Sequence, residues 1–266
     1  FLREHPRLVV LTGAGISLDS GIPAYRDSLG KWLPGPPIQE RDFARDPHTR
    51  RRYWTRSWYG WPRIRDARPN DAHHALAQLE RLGHIDLLVT QNVDGLHGKA
   101  GSRAVVDLHG RVDTIRCLDC GQPDSRDAVQ AQLARDNSLP ELPAGEARPD
   151  GDQAVPDQLI AGLALPRCRH CEGDVRPDVV FFGGSVPRPR VNHCEQALSA
   201  ADALLVVGSS LTVFSGFRFC RQAQREGKPL AIINPGDTRA DDMASLRLRG
   251  GAGPLLREAA RALADH

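Results

Sequence analysis

Short apolar runs alternating with amphipathic stretches set the organisation of this chain. Leu8-Val9-Val10-Leu11, Ile85-Asp86-Leu87-Leu88-Val89, Leu204-Leu205-Val206-Val207 and Leu230-Ala231-Ile232-Ile233 are almost wholly apolar and rich in β-branched residues or leucine. That pattern predicts strands buried on both faces, as in a parallel sheet. Val179-Val180-Phe181-Phe182 reads the same way. Between the runs the period changes. Residues 72–82 place Ala75, Leu76, Leu79 and Leu82 on one helical face, residues 191–201 and 214–225 behave similarly, and residues 254–264 close the chain with another such stretch. Strand and helix in alternation predict an α/β fold, a doubly wound Rossmann-like parallel sheet.

Polar and glycine-rich residues gather where these strands should end. Thr12-Gly13-Ala14-Gly15, Thr90-Gln91-Asn92-Val93-Asp94, Gly208-Ser209-Ser210 and Asn234-Pro235-Gly236 each follow one of the apolar runs. Ligands of doubly wound sheets collect at the carboxyl ends of the strands, so the pattern points to a nucleotide cleft. Gly13 and Gly15 let the backbone approach a pyrophosphate at a helix start. A tight strand-to-helix turn would use the same glycines. Leu18 stands where the third glycine of G-x-G-x-x-G would be, which argues against an ordinary dehydrogenase.

Cysteine spacing adds a second kind of chemistry. Cys117-Leu118-Asp119-Cys120 and Cys168-Arg169-His170-Cys171 are two C-x-x-C knuckles, 47 residues apart. Each can present two thiolates to one tetrahedral ion, so Cys117, Cys120, Cys168 and Cys171 are the expected ligands of one structural zinc. The alternative is two pairs of buried core cysteines. With four sulfur ligands and no open position, the metal should hold a fold. Cys194 and Cys220 are expected in the core, not in a disulfide. The middle of the metal segment, residues 137–166, is rich in Pro, Gly and Asp and is expected to be an extended loop. The expected division is a Rossmann-like domain from residues 1–40, 70–115 and 175–266, a small helical module at 41–69 and a zinc-binding module at 116–174.

Composition narrows the partners. A formal charge of +2 gives no electrostatic case for nucleic acid. No apolar run approaches the roughly 20 residues of a membrane span, so no membrane partner is expected. Thiolate zinc ligands fit a reducing compartment, and a cytoplasmic location is expected, or the mitochondrial matrix if an upstream targeting segment has been removed.

The motifs taken together carry a resemblance. Gly13-Ala14-Gly15-Ile16-Ser17 with Ser20-Gly21-Ile22-Pro23-Ala24-Tyr25-Arg26, then Thr90-Gln91-Asn92-Val93-Asp94-Gly95-Leu96-His97, Leu108-His109-Gly110, the paired C-x-x-C, Gly208-Ser209-Ser210-Leu211 and Asn234-Pro235-Gly236 resemble the sirtuins over nearly the whole chain. Arg52-Tyr53-Trp54, Gly60-Trp61-Pro62 and Pro149-Asp150-Gly151-Asp152 look most like the class II branch, the mitochondrial sirtuin 4 type. The resemblance implies an NAD-dependent protein-lysine deacylase: acyl-lysine, NAD and water give lysine, nicotinamide and O-acyl-ADP-ribose. NAD is then a co-substrate, and acyl-lysine proteins or peptides are the partners.

Carried over by residue, the resemblance puts Gly13, Ala14 and Gly15 beside the NAD phosphates. Ile22, Pro23, Tyr25 and Arg26 fall on a loop closing over the nicotinamide ribose. Gln91, Asn92 and Asp94 line the nicotinamide and ribose side, although Asn92 and Asp94 are also ordinary turn and cap residues. Gly208, Ser209 and Ser210 would hold phosphate and adenosine ribose, with Asn234 and Gly236 at the adenosine end. His109 would be the general base, since an imidazole takes a proton near neutral pH. Val180 and Phe182 would line an acyl-lysine tunnel, or pack a core. Ala24 and Gly184 depart from acidic residues common in the family, and the second bears on substrate preference. The aromatic cluster Tyr53, Trp54, Trp58, Tyr59 and Trp61 is expected to pack the helical module. Tyr53 and Arg56 have the Tyr-x-x-Arg spacing of a dicarboxylic acyl pocket, but no such specificity is claimed from it. Alternatives using the same cleft are protein mono-ADP-ribosyl transfer and lipoamide hydrolysis; a further one is a zinc-stabilised binding module with a degraded nucleotide site, acting as an interaction protein.

Overall fold

A computed structural model of the chain describes residues 1–24, 37–143 and 152–264. Its elements begin with β1 (Leu8–Thr12), a 3-10 helix (Ala14–Ser20), α1 (Glu40–Arg45), α2 (Pro47–Asp66), α3 (Asp71–Arg81) and β2 (Ile85–Thr90). Then come α4 (Leu96–Lys99), β3 (Val105–Asp107), β4 (Gly110–Cys117), β5 (Pro123–Ser125), α5 (Arg126–Asp136) and α6 (Asp157–Ala161). The chain continues through β6 (Val175–Val179), α7 (Arg188–Ala200), β7 (Ala203–Val207) and α8 (Phe214–Arg225). It closes with β8 (Leu230–Ile233), a short 3-10 turn (Asp241–Met243), β9 (Leu246–Leu248) and α9 (Ala252–Ala264). Two compact units result, one from Phe1–Leu33, Arg68–Leu108 and Val186–His266, the other from Pro34–Ala67 and His109–Ser185.

The first unit is built on six parallel strands in the order β3-β2-β1-β7-β8-β9. Every residue of β1 and β7 is buried, because helices cover both faces. Val9, Leu11, Leu204, Val206 and Ile232 pack on the α7 and α8 side with Leu198, Phe219 and Cys220. Leu8, Val10, Leu88, Leu205 and Ile233 pack on the other side with Leu76, Leu79, Leu256 and Ala260 of α3 and α9. The period-2 alternation thus splits one apolar run between two cores, which is why these strands show no polar face. Cys194 and Cys220 are buried and free, as their apolar surroundings require. α3 starts where Asn70 caps it: its side chain accepts from Ala72 N at 3.0 Å, while His73 Nδ1 accepts from Asn70 N at 3.3 Å.

The second unit has a three-stranded sheet, β5-β4-β6, with antiparallel pairs. This corrects the expectation for Val179-Val180-Phe181-Phe182. The strand lies earlier, at Val175–Val179, and pairs antiparallel with β4. A short apolar run does not by itself distinguish a parallel strand from a strand beside a helical layer. Because β4 and β6 pair with each other, residues 109–115 and 175–185 go with the second unit, and the helical segment and the cysteine segment share that unit as well. Residues 137–166 are not wholly extended, since α6 lies among them. Tyr53, Trp54 and Phe43 join Ile115, Val129, Leu133, Val175 and Phe181 in the core. Arg126 is buried between Trp54 and Trp61, its guanidinium 5.3 and 5.5 Å from the ring centres. Among the described residues no helix is long and apolar enough to cross a membrane.

Candidate active site

Strand order reverses between β1 and β7: β2 and β3 lie to one side of that pair, β8 and β9 to the other. Such a switch point opens a crevice at the carboxyl ends of the strands. Thr12 is in register with both Thr90 and Val207, and Val207 with Ile233, so four strand ends form one row. At the centre of that row the turns after β1 and β7 touch. Gly13 N donates to Val207 O at 3.1 Å and Gly15 N to Gly208 O at 2.8 Å. A Cβ on Gly15 would lie 2.8 Å from Gly208 O, and one on Gly208, whose φ is +61°, would lie 2.4 Å from Ile16 N. The glycines are therefore demanded by the approach of one turn to the other. Two amides that the sequence reading offered to a pyrophosphate are spent on this crossing, and the segment that follows is a 3-10 helix, not the start of an α-helix.

Beside the crossing lies a buried polar network. Ser17 Oγ donates to Asp94 Oδ2 at 2.8 Å, and Asn92 Nδ2 donates to Ser17 Oγ at 3.0 Å. Asp94 Oδ1 accepts from Leu96 N at 2.9 Å. Burial pushes the Asp94 carboxyl up, and the bonds from Leu96 and Ser17 pull it back. Behind this network Thr12 Oγ1 bonds His97 Nε2 at 2.9 Å, and the His97 ring lies 4.8 Å from that of His73. Both rings are fully enclosed, and burial drives both imidazoles toward the neutral form, His73 to about 4. On the other flank Ser209 Oγ donates to Gln91 Oε1 at 2.7 Å and accepts from Leu211 N at 3.2 Å. Gln91 rests against Gly216, where any Cβ would lie 2.6 Å from its amide nitrogen. Ser210 is exposed, with Oγ 3.0 Å from Thr212 Oγ1. Asn234 is buried and its Nδ2 donates to Gly236 O at 2.8 Å. Ile22 is buried, with Pro23 and Ala24 half-buried after it. Tyr25 and Arg26 lie outside the described residues. The structure thus gathers Gly13, Ala14, Gly15, Gln91, Asn92, Asp94, Gly208 and Ser209 around one row of strand ends. Ser17, which joins Asn92 to Asp94, and His97, which bonds Thr12, are residues that sequence reasoning gave no role; each lies inside a motif already singled out.

In the second unit His109 is half-buried and its carbonyl accepts from Val180 N at 2.8 Å. The glycine after it is compulsory: Gly110 has φ +81°, and a Cβ there would meet Asp178 O at 1.9 Å. Phe181 turns into the core, stacking on Phe43 at 4.7 Å. Val180 and Phe182, its neighbours, are half-buried and take no part in that core. Gly184 has a local cause as well, since a Cβ would lie 2.9 Å from Phe181 O and 3.0 Å from Glu40 Oε2. Glu40 supplies a carboxylate beside that position, paired with Arg176. Arg56 pairs with Asp152 at 2.7 Å, both largely buried, while Tyr53 packs against Phe43, Trp54 and Phe181.

Cys117, Cys120, Cys168 and Cys171 bring their sulfurs within 4.8 Å of one another. Cys117 and Cys171 sulfurs are 3.5 Å apart, those of Cys120 and Cys168 3.7 Å. A tetrahedron of sulfurs at zinc's usual bond length has edges of about 3.8 Å. Asp119 N and Cys120 N point at Cys117 Sγ, each at 3.4 Å, as amides do toward thiolates. The donor set fits a structural metal ion.

The Sir2 family model matches residues 13–215, a span that runs from the glycine crossing through both cysteine pairs and the turn after β7 to the start of α8. This chain belongs to the Sir2 family. Among its Sir2 relatives, an NAD-dependent protein deacetylase of Xanthomonas campestris pv. campestris is 52% identical over 93% of this chain and 85% of that protein. The NAD-dependent protein lipoamidase sirtuin-4, mitochondrial, of Bos taurus is 44% identical over 96% of this chain and 82% of its own length. A crystal structure of a Sir2 homologue in complex with NAD superimposes with a TM-score of 0.76 at 32% identity, covering 99% of this chain and 91% of the other.

Proposed function

We infer that this Sir2 protein is an NAD-dependent protein-lysine deacylase whose co-substrate lies along the row of strand ends at the β1/β7 switch point. The Ser17–Asn92–Asp94 network carries this reading. It places a carboxylate, an amide and a hydroxyl, each oriented by the others, at the end of a strand in a Sir2 chain. In that setting Asn92 and Asp94 face the nicotinamide ribose, and Gly208, Ser209, Ser210, Asn234 and Gly236 serve the phosphate and adenosine end. NAD, when bound, supplies the ADP-ribosyl group that receives the acyl chain. His109 takes a proton from the ribose hydroxyl, and Val180 and Phe182 flank the acyl chain. Their half-buried positions, outside the core that Phe181 joins, support that assignment. The four cysteines hold zinc as a structural ion. Four thiolate ligands support a reducing compartment, the cytoplasm or the mitochondrial matrix, and a formal charge of +2 gives no case for nucleic acid as partner.

The test is nicotinamide release from NAD in the presence of a panel of acyl-lysine peptides. Release that depends on an acylated peptide is expected, together with its loss in His109→Ala at an unchanged melting temperature. Release without any peptide would indicate ADP-ribosyl transfer or glycohydrolysis instead. The sirtuin-4 relative gives lipoyl-lysine peptides a place in the panel beside acetyl-lysine.

A further inference from the structure

β9 is a three-residue edge strand, and its middle residue is an arginine that faces the loop after β8. Arg247 Nη1 donates to Asn234 O at 2.7 Å and to Leu248 O at 2.8 Å. Its Nη2 donates to Gly236 O at 2.5 Å, and its Nε to Asp241 Oδ1 at 2.9 Å. One guanidinium therefore ties together the first residue of the loop, the third, and the carboxylate five residues further on. The loop is drawn in from its own side too. Asn234 Nδ2 bonds Gly236 O at 2.8 Å and Thr238 Oγ1 donates to Asp241 Oδ1 at 2.5 Å. Beyond them Arg239 N donates to Ser210 O at 3.0 Å, so the same loop is pinned to the turn after β7. The Arg247 side chain is only 16% exposed, so these bonds are shielded from water.

We propose that Arg247 is a positioning residue for the adenosine end of the co-substrate. It acts by holding Asn234, Gly236 and, through Arg239, the Ser210 turn in one arrangement. A planar fork is needed for this, because the carbonyls of residues 234 and 236 and the Asp241 carboxylate lie in different directions about one group. A lysine ammonium has the charge but not the fork. The inference rests on the assignment of Asn234 and Ser210 to that end of NAD. Nothing in it involves the acyl-lysine peptide or the proton transfer at His109.

The experiment compares the unaltered protein with Arg247→Met, Arg247→Lys and Asn234→Ala. Deacylation is measured with NAD varied and then with peptide varied, and ADP-ribose binding is followed by calorimetry. Arg247→Met should raise KM for NAD and weaken ADP-ribose by the same factor, on the order of tenfold for the loss of shielded charge-assisted bonds. The kcat and the peptide KM should stay within about twofold, and Arg247→Lys should recover part of the loss. If Arg247→Met does not fold, Asp241→Asn takes its place, with a smaller rise in KM for NAD expected and kcat again held. Weakening in Asn234→Ala together with unchanged KM in a folded Arg247→Met overturns this inference alone. A fall in kcat at constant KM for NAD also overturns it. Absence of ADP-ribose binding by the unaltered protein, or full affinity in Asn234→Ala, overturns the adenosine assignment and the inference with it.

Discussion

Acidification should unlock the first unit through the enclosed histidine pair. His73 is fully buried at the third position of α3, and burial lowers its imidazole from 6.5 to about 4. In the unfolded chain the same ring takes its proton near pH 6.5. The sign follows: between those two values the unfolded state binds a proton that the folded state refuses, so folding stability drops as pH falls through that window. It is fully present above pH 6.5 and levels off below about 4. At roughly 1.4 kcal/mol per pH unit, the loss from this one residue is about 2 kcal/mol at pH 5 and about 3 kcal/mol at pH 4. His97, also driven neutral by burial, adds to it in the same direction. Replacing His73 by Gln keeps a hydrogen-bonding side chain at the capping-box position and removes the titration. Urea unfolding followed by circular dichroism at pH 7, 5 and 4 measures the effect as the difference between the two proteins. Carboxylate and thiolate contributions elsewhere cancel in that difference. Parallel stability curves for the histidine and glutamine proteins would refute the reasoning.

Gly208→Ala should destabilise the first unit by at least about 2 kcal/mol, from the left-handed backbone and the contact with Ile16 N, and should abolish NAD binding; thermal melting and calorimetry measure the two. Ser17→Ala takes the shared hydroxyl from Asp94 and Asn92 and should lower kcat/KM for NAD by about tenfold or more, read from steady-state kinetics, and should cost about 1–3 kcal/mol in urea unfolding because the buried Asp94 carboxyl loses a donor. Cys117→Ala, or a strong chelator, should expose the second unit to limited proteolysis while the parallel sheet keeps its protection; matched digestion patterns with and without chelator would contradict a structural metal. Leu76→Ala, at a fully buried position of α3, should cost about 2–5 kcal/mol in urea unfolding.

Much of this was legible in the residues because several signals agreed. The four apolar runs that became β1, β2, β7 and β8 were each long enough to be buried on both faces, and the helices between them kept a clear period. β3 and β9 escaped notice because three residues at a sheet edge leave almost no pattern. Val179-Val180-Phe181-Phe182 misled for a related reason. Of that run only Phe181 is a buried member of the core, with Val179 packed against it, and the strand is the more polar stretch Val175–Val179 that ends on the run's first residue. In the candidate site the glycines and the Asn92-Val93-Asp94 run stood out as types. What they touch was hidden: that Gly15 answers Gly208, that Ser17 joins Asn92 to Asp94, and that a distant arginine at 247 gathers the carbonyls beside Asn234. Such relations depend on which strand ends become neighbours, and strand order is set by tertiary packing.

The seam between the turns after β1 and β7 has a practical bearing on engineering. Where two main chains meet with no side chains between them, there is nothing to trim or enlarge, and the floor of the crevice offers no adjustable part. Variants sought for altered co-substrate preference should therefore come from residues at the rim, and libraries that randomise the seam should return mostly unfolded chains.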